Sequence, residues 1–192
     1  MLAMLEGPAL LESASECLAR TPGVLRAHVQ GQAREALNHK SGETAWSQSE
    51  ILAHLADFEG ICFQSRIETI LRGEPVLAIN PDKRAADIPY AAMDPFTSLD
   101  RFARDREKSL ARLRQLSAAD LARRAVHSEL GEITLSNLLA EWVSHDLGHI
   151  RQLVVAAAQP FLSATGPWRP GYKHLELTAK ASETKRAGEG KP

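Results

Sequence analysis

The stretch Thr134-Leu135-Ser136-Asn137-Leu138-Leu139-Ala140-Glu141-Trp142-Val143-Ser144-His145-Asp146-Leu147-Gly148-His149-Ile150-Arg151-Gln152-Leu153 continues as Val154-Val155-Ala156-Ala157-Ala158. At ~100° per residue, Leu135, Leu138, Leu139, Trp142, Val143, Leu147, Ile150 and Leu153 sweep out one broad apolar arc. That period is helical, and its length is that of a bundle helix. Thr134 or Ser136 opens the helix, and Pro160 is expected to end it. His145 and His149, four residues apart, lie roughly 40° apart at one edge of the arc. Both imidazoles therefore face inward and reach one point. Asp146 falls inside the arc, where an acid needs a partner. It either orients a neighbouring imidazole or bonds to an Arg or the backbone.

Upstream, Ser47-Gln48-Ser49-Glu50 has the spacing of a capping box ahead of an apolar run. A helix from Gln48 to Leu71 should follow, stopped by Gly73. His54 shares its inner face with Ile51, Phe58 and Ile61. Cys62 on that face reads as a small core residue. Glu74 to Thr97 carries Pro75, Pro81, Pro89 and Pro95 and has no periodicity. A helix as long as the preceding one spans about 36 Å. An extended connection covers that at about 3.3 Å per residue, so the second and third long helices can run parallel.

The other elements follow from the same signals. Leu10 to Arg20 reads as a short helix, interrupted by Thr21-Pro22-Gly23. Val24 to His39 reads as the next, capped by Thr21. Lys40 to Thr44 is a turn. Thr97 to Leu116 carries Leu99, Phe102, Leu110 and Leu113 on one side. Ser117 to Asp120 resembles another capped start. Val126 to Ile133, around Gly131, is a small hairpin or an irregular loop. Gly166 to Tyr172 reads as loop. Residues 1–179 are expected to form one domain and 180–192 a disordered tail. Four long helices with short, long and medium connections make an all-α four-helix bundle with one crossover.

Composition narrows the function classes. The formal net charge is −1, and the 23 Lys and Arg are scattered. Nothing here draws the chain to nucleic acid or to an anionic membrane. The two cysteines, Cys17 and Cys62, have no metal-type spacing. Met1 to Leu11 lacks the positive start of a secretory signal, and the apolar runs are too short to span a bilayer. A cytoplasmic protein with free thiols is the expectation.

Two His at this spacing are common by chance, and a His at a core edge is usually just hydrogen-bonded. His54 changes the balance. A lone inward His costs stability unless its nitrogens find partners. Three of them on two helices lose that cost together around one divalent ion. Three protein ligands with an open position is the pattern of a catalytic zinc-type site. Glu50, Asp57, Glu141 and Gln152 flank these His faces and are candidates for the pocket, although Glu50 already serves the capping box, Glu141 and Gln152 also suit a polar rim, and Asp57 suits a solvated helix position better. His145 to His149 also mimics HExxH, but with Asp where the base Glu stands, which argues against a metalloprotease. Trp46 and Trp142 read as bundle packing.

Trp46 to Asp57 resembles the opening of helix two in the DinB-like (damage-inducible B) superfamily. Gly131-Glu132-Ile133-Thr134-Leu135 and His145 to Leu153 resemble its last helix, and the Pro-rich segment fits between them. The resemblance runs from about Leu18 to Ala158. It implies an up-down-down-up four-helix bundle with a long crossover loop between helices 2 and 3, often a homodimer. It places the family's metal ligands on His54, His145 and His149, with zinc or nickel as the ion. Relatives include YfiT-like metal-dependent hydrolases, mycothiol-dependent maleylpyruvate isomerase and bacillithiol S-transferases. The implied function is a metal-dependent enzyme on a small-molecule substrate, either a hydrolase or a low-molecular-weight-thiol S-transferase. The alternative is a non-catalytic metal- or ligand-binding bundle of the stress response.

Overall fold

The computed structural model describes residues 6–42 and 45–176. The expected tail at 180–192, the domain limit at 179 and the end of the turn at Thr44 lie outside these residues. Four long helical rods form the bundle: α1 (Gly7–Val29); a second rod made of α3 (Gln48–Phe58), a π-helical segment (Glu59–Gln64) and α4 (Ser65–Leu71); α6 (Pro95–Leu113); and α8 (Leu135–Ala164). Short pieces join them: α2 (Arg34–Asn38), α5 (Pro81–Asp87), α7 (Ala118–Leu121) and the hairpin β1 (Arg124–His127) and β2 (Gly131–Thr134).

Cross-helix bonds set the directions. Arg26 of α1 meets Asp100 of α6, while Leu18 meets Arg106, so these two run antiparallel. Glu59 meets Arg106 and Glu68 meets Arg112, so the second rod and α6 run parallel. His54 meets His145 and Glu59 meets Trp142, so α8 runs opposite to the second rod. The order is up-down-down-up, and the long 74–94 connection supplies the crossover.

Local chemistry accounts for most element starts. The Ser47–Glu50 capping box forms in full, as does that of Ser117 with Asp120. Thr134, not Ser136, caps α8 by accepting from the Asn137 amide. Gly73 adopts a φ of 69°, a left-handed conformation that suits glycine and stops the second rod. The segment around Gly131 is a true antiparallel hairpin, and Val76 bridges alongside His127.

Several expectations fail for identifiable reasons. Pro22 does not break the first helix; α1 runs through it, and Thr21 is a buried interior residue rather than a cap. A proline has no amide for the carbonyl four residues back, here Leu18. The Arg106 guanidinium fills that vacancy, donating to the Leu18 oxygen at 2.8 Å. Pro160 likewise lies inside α8, where Leu162 is buried beyond it and holds the last turn. Residues 166–175 form 3₁₀ turns rather than open loop. The Pro-rich connection is partly built: Asn80 caps α5 and Asp94 caps α6, each just before a proline at the first helical position. Leu147 falls in the apolar arc by helical period, yet it is 51% exposed.

Candidate metal centre

α3 and α8 bring His54, His145 and His149 together. His54 is 2% exposed, and the other two are half-buried. One nitrogen from each ring lies within 4.8 Å of the others. His54 Nε2 and His145 Nε2 are 3.2 Å apart. Two tetrahedral Zn–N bonds of about 2.0–2.1 Å separate their nitrogens by roughly 3.3 Å. The His54–His145 pair therefore has the spacing of two ligands of one small divalent ion, and all three rings offer the donor type such an ion takes.

The environment fixes how each ring is presented. His149 Nδ1 lies 2.8 Å from Gln152 Oε1. An amide oxygen only accepts, so Nδ1 carries the proton and Nε2 keeps its lone pair. His145 Nδ1 is buried without a hydrogen bond and sits 3.9 Å from Asp146 Oδ1. That gap is too long for a direct bond, though not for charge attraction. Phe58 packs 4.1 Å from the His54 ring, and Trp46 meets that ring edge-on at 4.9 Å. Phe63 lies beside His145, and Tyr90 beside His54.

The flanking candidates divide. Gln152 serves the trio directly. Asp146 is buried and takes two hydrogen bonds from Arg106, so it faces a cation and an imidazole at once. Burial pushes its carboxyl up, but His145 and Arg106 outweigh that and hold it below the usual range. Glu50 is committed to its capping box and to Lys40, 2.9 Å away. Glu141 is exposed at the edge, and desolvation by the surrounding protein raises its pKa against the pull of His145. Asp57, on α3, is buried. It accepts from Arg84 at 2.5 and 2.9 Å and from the Tyr90 hydroxyl at 2.8 Å. It thereby ties the crossover connection to the second rod, next to the trio. Burial alone would push the Cys62 thiol up, and it stands at about 12, which leaves it inert.

Sequence reasoning missed Glu59, Arg106, Arg84 and Tyr90. Arg106 had a signal: it lies in register with Leu99, Phe102 and Leu113, on the apolar face of α6. A charge in a core stripe calls for buried partners, and Glu59 and Asp146 are those partners.

Residues 18–153 match the family model of the DinB superfamily. A search of curated proteins finds no match. Among solved structures, the chain is similar to YfiT from Bacillus subtilis, described as a probable metal-dependent hydrolase with an unusual four-helix bundle topology. Identity is 21%, the TM-score is 0.70, and the match covers 79% of this chain and 87% of that one.

Proposed function

The chain belongs to the DinB superfamily, and from that premise we propose that it is a metal-dependent enzyme acting on a small molecule. His54, His145 and His149 hold one divalent ion, zinc or nickel, both of which suit imidazole ligands. The observation that carries this reading is the convergence of three imidazoles from two helices within 4.8 Å. When bound there, the ion would supply Lewis acidity to a water or thiol beside the three imidazoles.

The chain's own residues prepare that chemistry. Gln152 fixes the tautomer of His149. Asp146 favours a proton on His145 Nδ1 and so leaves Nε2 facing the trio. Trp46, Phe58, Phe63 and Tyr90 wall the His rings with apolar surface. Asp57 holds the crossover connection, and Tyr90 with it, against this wall.

Two reactions suit such a site: hydrolysis, or transfer of a low-molecular-weight thiol to an electrophile. The description of YfiT favours hydrolysis. The non-catalytic reading has one observation in its favour. The 3.2 Å between His54 and His145 also suits an N–H···N bond between neutral rings. A homodimer completes the proposal. Leu147, Val154 and Phe161 are exposed at seven-residue spacing on one face of α8, where a second copy can cover them. Two free thiols fit a reducing cytoplasm. Among the described residues, no helix is long and apolar enough to cross a membrane.

Elemental analysis tests the core of this reading. The purified chain should carry one divalent ion. His149→Ala should lose it while its helical circular-dichroism spectrum persists. Wild-type protein that stays metal-free after supplementation refutes the site. Turnover screens of the loaded protein, with and without thiol donors, then separate hydrolysis, transfer and mere binding.

A further inference from the structure

Glu59, Arg106 and Asp146 form a charged triad in the interior of the bundle, each 1% exposed. Arg106 donates to both Glu59 oxygens at 2.8 and 2.9 Å. It also donates to both Asp146 oxygens, at 2.7 and 3.1 Å. Ser109 adds a hydroxyl to Glu59 at 2.7 Å, and the Trp142 indole N–H adds another donor at 3.3 Å. The hydrogen bonds are well made, but the charges do not cancel. Two carboxylates face one guanidinium, which leaves a net −1.

An unbalanced charge in a dry interior is costly, and proteins meet that cost with an opposite charge nearby. Arg106 is the only buried Lys or Arg among the described residues. The other groups hydrogen-bonded to Glu59 and Arg106 (the Leu18 carbonyl, Ser109 and Trp142) carry no formal charge. A place for a cation adjoins the triad at the His trio, where His145 Nδ1 lies 3.9 Å from Asp146 Oδ1.

We infer that the Glu59–Arg106–Asp146 triad is the built-in counter-charge of the metal centre: its surplus carboxylate tightens divalent-ion binding without touching the ion. This rests on the metal reading above. Glu59 is therefore a positioning residue that acts through Asp146 and His145. The triad spans α3's rod, α6 and α8 and borrows a carbonyl from α1, so all four rods take part in setting the charge at the site.

The test is zinc affinity of the full chain, measured by competition with a chromophoric chelator at neutral pH. Glu59→Gln keeps the shape and removes the surplus charge. It should weaken zinc binding about 10- to 100-fold, the usual effect of losing an outer partner of a ligand. Arg106→Gln removes the cation instead. Both carboxylates then stay beside the site, so zinc affinity should fall by no more than about threefold. A purely packing role would damage both variants alike. If Glu59→Gln does not fold, Asp146→Asn removes the same charge and should show the same loss. Unchanged affinity in the charge-removing variant, or an equal loss in Arg106→Gln, overturns the inference and leaves the metal site standing. Wild-type protein that binds zinc no better than His149→Ala overturns the metal reading and this inference with it.

Discussion

The Leu18 carbonyl offers a sharp test of how this bundle is built. Pro22 cannot donate to it, and Arg106 does so instead, at 2.8 Å. Arg106→Met removes three things at once: the Glu59 pair, the Asp146 pair and the donor to Leu18. Breaking a buried ion pair by deleting one partner costs about 3–5 kcal/mol. The carbonyl left without a donor adds about 1–3 kcal/mol. Pro22→Ala restores an amide to the same carbonyl. In the wild-type background the amide meets an oxygen that already has a donor. In the Arg106→Met background it relieves an orphan. Pro22→Ala should therefore stabilise the Arg106→Met protein by about 1–2 kcal/mol more than it stabilises wild type. For a chain of this size that difference amounts to about 2–8 °C in Tm. The assay is a double-mutant cycle by urea unfolding, followed by circular dichroism. Coupling below about 0.5 kcal/mol, the range of independent sites, would refute the idea that Arg106 substitutes for the missing amide.

Other outcomes follow from the same contacts. Burial raises the Asp57 carboxyl, but the bonds from Arg84 and Tyr90 outweigh that and hold its pKa below 3.8. Its contribution is therefore present above the unfolded value and lost as pH falls through the folded one. Asp57→Asn should cost about 1–3 kcal/mol at pH 7, since Arg84 is partly solvated, and should flatten the acid side of a pH–stability curve; an unchanged curve would count against the clamp. With its pKa at about 12, Cys62 should resist iodoacetamide at pH 8 until the chain unfolds, whereas rapid labelling of the folded protein would contradict its burial. Leu147→Glu with Phe161→Glu should convert a dimer to a monomer in light scattering without loss of helicity; a persistent dimer would place the interface elsewhere.

Much of the molecule was legible in one dimension, because helices are local objects. Apolar period, capping boxes and stop glycines act within a few residues, so Ser47–Glu50, Thr134 and Gly73 declared their roles directly. The inward aim of His54, His145 and His149 was likewise a matter of helical phase. The two Asx-Pro starts at Asn80 and Asp94 are equally local signals, masked by four prolines in one connection.

Tertiary structure decided whatever depends on a partner far along the chain. Proline breaks a helix only if the freed carbonyl and lost turn are not made good elsewhere. At Pro22 the remedy comes from Arg106, and at Pro160 from burial of Leu162. Asp57 reads as a surface acid until Arg84 and Tyr90 are seen to close over it. Sequence fixes which way a side chain leaves its own helix. Only packing brings separate helices to one point, since charge and hydrogen bonding act over a few ångströms of space whatever the separation along the chain.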